Sequence, residues 1–311
     1  MLALIAPGQG AQTPGFLTPW VEHERSHSLL QKWSHAIDLD LLRLGTLSDA
    51  DEIRETSHAQ PLLVAAGLIS TLQLFEKLDF NTDLISFFAG HSVGELTTAS
   101  LAGVIDGDTA LNLVNIRARA MSLAATGSNT GMSAVLGGDR DDVVAALTSL
   151  GLTPANENGA GQIVAAGDLD ALNRLAENPP AGSRVRALAV SGAFHTSVMA
   201  PAVEKLAAAV AGIAVADPTK PLISNKDGGV VTSGSEFISR IVGQVAGPVR
   251  WDLCMKTLAA QGVTGVIEVA PGGTLAGLLK RAEPAIETFA LKAPADLELC
   301  AEFAQKHGAK K

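Results

Sequence analysis

The chain has 311 residues, 47% of them hydrophobic, enough to bury one large or two modest cores and too apolar for a disordered protein. A net charge of -9, with no basic run before the final Lys310-Lys311, argues against nucleic-acid binding. Two cysteines make neither a disulfide framework nor a thiolate metal cage, and the absence of tyrosine excludes a phenol as acid or base.

The opening residues carry no basic stretch and meet Pro7-Gly8 too early for a signal peptide, so a cytoplasmic protein is expected. Residues 2–6 predict a buried strand running into Gly8-Gln9-Gly10-Ala11-Gln12. This loop is glycine-rich enough to bring its amides against a ligand, but it lacks both the phosphate-loop ending and the dinucleotide spacing. It is either an amide donor beside a reactive centre or an ordinary turn. His23-Glu24-Arg25-Ser26-His27 matches H-E-x-x-H, the zinc helix of many peptidases. Its polar surroundings suit a solvated helix face instead, so the zinc peptidase is a lesser alternative and no metal is expected. Residues 57–78 predict one long helix; its most apolar part, 62–72, falls short of the ~20 residues of a membrane span, and no membrane contact is expected.

Residues 84–89 form an apolar run of the kind found in buried parallel strands. Gly90-His91-Ser92-Val93-Gly94 follows, and 95–105 predicts a helix. Strand, glycine turn and helix in this order make a nucleophile elbow, which exposes its serine at a helix N-terminus where the Val93 amide can hold a negative oxygen. The alternative is a structural turn with an idle serine. In the next predicted helix, 108–125, Arg117 shares a face with Leu113, Val114 and Met121, so it either lines a cleft or snorkels.

From Gly131 the texture changes. Strands at 132–136, 162–166 and 184–190 alternate with helices at 141–150 and 169–177, which suits a small β-α-β-β-α-β unit. Bounded by residues 127 and 191, it reads as an insertion into a larger domain of residues 1–126 and 192–311. A helix at 201–211, a strand ending at 224, a helix at 249–258, a strand at 263–269, a helix ending at 281 and a polar tail complete the chain. The fold class is α/β, a hydrolase-like parallel sheet with an inserted ferredoxin-like small domain.

A nucleophilic serine needs a base. Of the seven histidines, His195 stands in a glycine-flanked loop at the domain junction, after the serine in chain order and after apolar Phe194. The others fall on the early polar helix, a helix start, the elbow itself or the tail. A structural role for His195 is the competing reading. No carboxylate announces itself as a third member, which leaves a backbone carbonyl to orient the imidazole.

Gly8-Gln9-Gly10-Ala11-Gln12, Gly90-His91-Ser92-Val93-Gly94-Glu95, Arg117 followed by Met121, Gly192-Ala193-Phe194-His195 and Pro248-Val249-Arg250-Trp251 resemble, in order and spacing, the malonyl-CoA:acyl carrier protein transacylases. The resemblance spans nearly the whole chain. It implies Ser92 as nucleophile, His195 as general base and acid, the amides of Gln9 and Val93 as oxyanion hole, and Arg117 as the malonyl carboxylate site. Phe194 resembles the malonyl-selective branch. The histidine-orienting carbonyl would come from the segment Gly247 to Arg250, where Gly247 replaces a frequent asparagine. The implied reaction passes a malonyl group from malonyl-CoA through an acyl-serine to the phosphopantetheine thiol of acyl carrier protein, for fatty acid or polyketide synthesis and without a cofactor. A serine thioesterase or esterase on the same elbow is the main alternative.

Overall fold

A computed structural model describes residues 1–190 and 192–308, so the insertion boundary at Ser191 and the basic pair Lys310-Lys311 lie outside the described residues. The described residues form eleven strands: β1 (Leu2–Ala6), β2 (Ile85–Gly90), β3 (Thr130–Gly137), β4 (Thr153–Gly159), β5 (Gln162–Asp168), β6 (Ser183–Ala187), β7 (Leu222–Ile223), β8 (Val230–Val231), β9 (Val249–Arg250), β10 (Gly265–Glu268) and β11 (Glu287–Ala290).

The larger sheet has the order β11-β10-β1-β2-β7-β8, parallel except for the antiparallel β7–β8 pair at its edge. β1 is buried at all five positions, as a strand covered on both faces must be. Side-chain alternation splits it between two cores: Leu2, Leu4 and Ala6 join the large cluster on one face, Ala3 and Ile5 the cluster on the other. The large cluster is built on the core helix Thr56–Lys77, which starts early enough to put Pro61 in its second turn rather than its first. At 22 residues this helix meets the length criterion for a membrane span, contrary to the expectation from its apolar part alone, but 83% of its most apolar window is buried inside the protein.

The second sheet has the order β6-β3-β5-β4-β9. Its four strands from β3 to β6 lie in the spatial order fourth, first, third, second, all neighbouring pairs antiparallel, which is the ferredoxin-like arrangement. The helices Arg140–Ser149 and Leu169–Glu177 pack on it over a third cluster that includes Leu147, Ile163 and Leu172. The fifth strand is unexpected. β9 comes from the larger domain, well after the insertion, and pairs in parallel with β4, Asn156 opposite Val249 and Glu157 opposite Arg250.

Several expectations need correction. The helix after the elbow ends at Leu101, because Gly103 turns the chain into the left-handed region at φ 78°. The helix expected over 249–258 begins at Trp251, its first two residues being drawn into β9. Residues 153–159, a polar Pro- and Asn-containing stretch, become a strand because the hairpin with β5 pairs them. The helix Gly234–Gln244, capped by Ser233, and the helix Leu297–His307 were not anticipated. The second turns the supposed polar tail into a packed element with Cys300, Ala304 and His307 buried.

Candidate active site

At the end of β2 the chain turns through His91, Ser92 and Val93 into the elbow helix Gly94–Leu101. Ser92 has φ 52°, a left-handed conformation that a side-chain-bearing residue holds only when its surroundings impose it. Both elbow glycines are sterically required. A Cβ on Gly90 would stand 2.1 Å from the Gly94 carbonyl carbon, and one on Gly94 would stand 2.3 Å from the Ala6 carbonyl oxygen. Asn225, in the loop after β7, holds the turn on both sides: its Oδ1 accepts from the Ser92 amide at 2.7 Å and its Nδ2 donates to the Gly90 carbonyl at 2.7 Å. No sequence expectation pointed to Asn225, which sits in what reads as an ordinary Asn-Lys-Asp-Gly-Gly turn.

Ser92 Oγ lies 2.8 Å from His195 Nε2, and His195 Nδ1 lies 2.8 Å from the carbonyl oxygen of Gln244. A carbonyl only accepts, so Nδ1 carries the proton and Nε2 is left free to accept from the serine. The orienting carbonyl therefore belongs to Gln244, three residues before the expected segment. Gln244 is the last residue of the helix Gly234–Gln244, where carbonyls lack helical partners and the dipole favours a positive imidazole. The Gly247 backbone adds a lesser contribution. Arg250 does not take part: its amide bonds the Asn225 carbonyl and its guanidinium pairs with Asp252 at 2.9 Å.

His195 is buried, with φ 61°, and burial together with the Arg117 charge lowers its pKa to about 3. The free ring is thus neutral, the form a base requires. Arg117 is 1% exposed, so it does not snorkel: it is buried behind Gln60 and Ser92, which line the cleft described below. Its Nη1 donates to Gln60 Oε1 at 2.6 Å, and its Nη2 to Gln244 Oε1 and to Ser92 Oγ, both at 3.2 Å, while Nε has no partner among the described residues. Burial brings its pKa down to about 10, leaving it a cation at neutral pH.

A cleft of about 400 Å³ is lined by Ser92 together with Gln9, Val93, Phe194 and His195 and by Asn156 and Asn158 of β4. The Ser92 amide is engaged by Asn225, whereas the amides of Gln9 and Val93 donate to no acceptor among the described residues. The Gln9 side chain reaches away to the Arg54 carbonyl and Thr56 Oγ1, both at 3.3 Å. His91 is spent otherwise: its Nε2 is 2.9 Å from Asn158 Oδ1, joining the elbow to the small sheet. The strand that carries Asn156 and Asn158 was missed at sequence level, so this wall of the cleft was missed with it.

The H-E-x-x-H stretch does not form a two-histidine helix face. His23 precedes the helix Glu24–Ile37, with its Nε2 3.0 Å from Glu76 and its Nδ1 3.3 Å from Ser26 Oγ.

Residues 5–291 match the family described as the acyl transferase domain. The chain belongs to the acyl transferase family. This acyl transferase is 50% identical over 299 residues to the malonyl CoA-acyl carrier protein transacylase of Mycobacterium tuberculosis H37Rv, covering 96% of this chain and 98% of that one. It is 32% identical over 313 residues to the protein of the same name from Escherichia coli K12, covering 97% and 99%. Among solved structures, the acyl transferase superposes on MCAT from Mycobacterium tuberculosis with a TM-score of 0.93 at 50% identity, covering 97% of this chain and 99% of the other. It also superposes on PlMCAT, a malonyl-transacylase solved with the type II PKS acyl-carrier protein AntF, with a TM-score of 0.90 at 30% identity, covering 97% and 99%.

Proposed function

We propose that this acyl transferase carries a malonyl group from malonyl-CoA to the phosphopantetheine thiol of acyl carrier protein, in fatty acid or polyketide synthesis. The observation that carries the reading is a buried guanidinium 3.2 Å from the oxygen of an elbow serine, a cation placed where a carboxylated acyl group would lie. The names of the relatives at 50% and 32% identity support it. Ser92 Oγ attacks the thioester carbonyl as His195 Nε2 takes its proton, and the Gln9 and Val93 amides hold the tetrahedral oxyanion. The carbon–sulfur bond breaks, and CoA leaves as a thiol with the proton from His195. The carrier thiol then gives its proton to His195, attacks the malonyl-serine and restores Ser92 Oγ–H. Phe194, 6% exposed on the cleft wall, supplies apolar contact beside the acyl chain.

We read residues 1–126 and 192–311 as the catalytic domain with 127–191 inserted, a division supported by the separate apolar cluster under the small sheet. Two buried free thiols, Cys254 and Cys300, support a reducing, cytoplasmic setting.

The test is intact mass after addition of malonyl-CoA, followed by holo acyl carrier protein. A gain of one malonyl group that moves intact to the carrier is expected; release of free malonate without transfer points to a thioesterase instead.

The environment of His195 predicts the pH dependence. Its pKa is depressed from the usual 6.5 to about 3, so the neutral base persists as pH falls through the ordinary histidine range. The kcat/KM for malonyl-CoA, which reports the free enzyme, is expected to show no acid limb centred between pH 6 and 7. A tenfold loss from pH 7 to pH 5.5 would assign the base to a solvated histidine.

A further inference from the structure

Behind Arg117 lies a second buried ionisable group to which the chemistry above gives no task. Glu95 stands in the first turn of the elbow helix and is 1% exposed. Its Oε1 accepts from the Asn225 amide at 2.7 Å and its Oε2 from Gln244 Nε2 at 2.5 Å. Through its own Oε1 the same Gln244 amide accepts from Arg117, and through Nε2 it donates also to Asn225 Oδ1 at 3.0 Å. Cation and carboxylate therefore occupy opposite ends of one side-chain amide. Such an amide has a single favourable orientation, oxygen to the guanidinium and NH2 to the carboxylate. The residue so oriented is also the one whose backbone carbonyl holds His195.

We propose that Glu95 is a positioning residue for the carboxylate site at Arg117, coupled to it through Gln244, and that it takes up a proton when the substrate carboxylate arrives. This rests on the reading of Arg117 as the malonyl site. With Glu95 ionised, the free cluster holds one cation and one anion. A malonyl carboxylate adds a second anion in the same water-poor space, where two carboxylates sharing one cation do not both stay charged. The ligand carboxylate bonds the guanidinium directly and keeps its charge. Glu95, one amide further away, becomes neutral by taking a proton from solvent.

The surrounding charges leave Glu95 as the group that responds. Arg117 comes from the helix Gly107–Ala125, and Arg240 from the helix Gly234–Gln244, where it is already paired with Asp227 and Glu236, each at 2.7 Å. Asp227, in the loop after β7, is the one further acidic neighbour acting on it. Burial pushes the Cys254 thiol well up, so it stays neutral, and the neutral His195 has its pKa far below this range. The core helix contributes Gln60 to Arg117, and β1 and β2 carry no titratable side chain. Burial already lifts the Glu95 carboxyl to about 8, against the opposing pull of the Asn225 amide and the Arg117 charge. A raised pKa that rises further with ligand means that binding takes up protons, and weakens with pH, only above about pH 8; below about pH 7 Glu95 is mostly protonated beforehand and the dependence disappears.

The test uses Ser92→Ala, which binds without turnover, titrated calorimetrically with malonyl-CoA in buffers of different ionisation enthalpy. At pH 9 close to one proton per site is expected to be taken up, with a Kd about fivefold weaker than at pH 8 by one-site linkage. The double variant Ser92→Ala, Glu95→Gln is expected to take up none and to lose the pH dependence. Zero uptake by Ser92→Ala at pH 9 overturns the proposal without recourse to any Glu95 variant, and so does unchanged uptake in the double variant. Failure of Ser92→Ala to bind malonyl-CoA at any pH overturns the Arg117 reading on which it stands.

Discussion

Ser92→Ala is expected to form no malonyl adduct and to lose malonyl transfer by roughly 10⁴-fold or more, as when the nucleophile of a cooperating serine–histidine unit is removed. The fold should survive, because the elbow is held by backbone and Asn225 contacts rather than by Oγ. Both bonds of the Asn225 side chain to the turn involve main-chain atoms, the Ser92 amide and the Gly90 carbonyl. What the substitution removes is the 2.8 Å contact with His195 and the 3.2 Å contact with Arg117. Intact mass after malonyl-CoA, with peptide mapping of the wild-type adduct, checks it. An adduct on another residue, or one that persists in Ser92→Ala, sinks the two-step mechanism.

Arg117→Ala is expected to cut malonyl transfer by about 10²-fold or more while raising acetyl transfer relative to it. In the free enzyme the guanidinium is satisfied only by the neutral oxygens of Gln60, Gln244 and Ser92, and its Nε has no partner among the described residues. A carboxylate there meets a desolvated cation. An acetyl group offers nothing to it and leaves the buried cation without an anionic partner, a difference on the order of 2 to 5 kcal/mol for a buried charge pair. At 1.4 kcal/mol per tenfold, the stated loss corresponds to about 2.8 kcal/mol, inside that range. Arg117→Lys should recover activity only in part, since an ammonium cannot make the planar two-bond contact. Rates with malonyl-CoA and acetyl-CoA on wild type and both variants decide the matter; an unchanged ratio in Arg117→Ala moves the carboxylate site elsewhere.

What could be read from the chain without its structure was local. Glycines two residues either side of Ser92, an apolar run before it and a helical pattern after it are contiguous signals, and the spacing of Val114, Arg117 and Met121 puts the arginine on an apolar face within one helix. The structure brings His195 and Arg117 within hydrogen-bonding reach of the Ser92 hydroxyl oxygen. Gln244 and Asn225 could not be found this way. Asn225 works on atoms 133 and 135 residues away and Gln244 on a histidine 49 residues away, and neither has a distinctive neighbour: Asn225 lies in a polar turn, and Gln244 ends a helix that the sequence reading did not find. β4 was hidden for a different reason. Thr153-Pro154-Ala155-Asn156-Glu157-Asn158-Gly159 has the composition of a turn, and pairing with β5 on one side and β9 on the other overrides it.

The donated strand β9 has a mechanical meaning. Only four residues separate Gln244, which aims the base, from Val249, which is stitched into the edge of the small sheet. The His91–Asn158 bond provides a second tether, directly beside the nucleophile in the chain. Moving the small sheet as a hinged lid would pull on both the base and the serine, so the width of the cleft is tied to the alignment of the reacting pair. A protein wired like this presents the base, the serine and Arg117 to the thioester in one preset arrangement, rather than assembling them by closing around it.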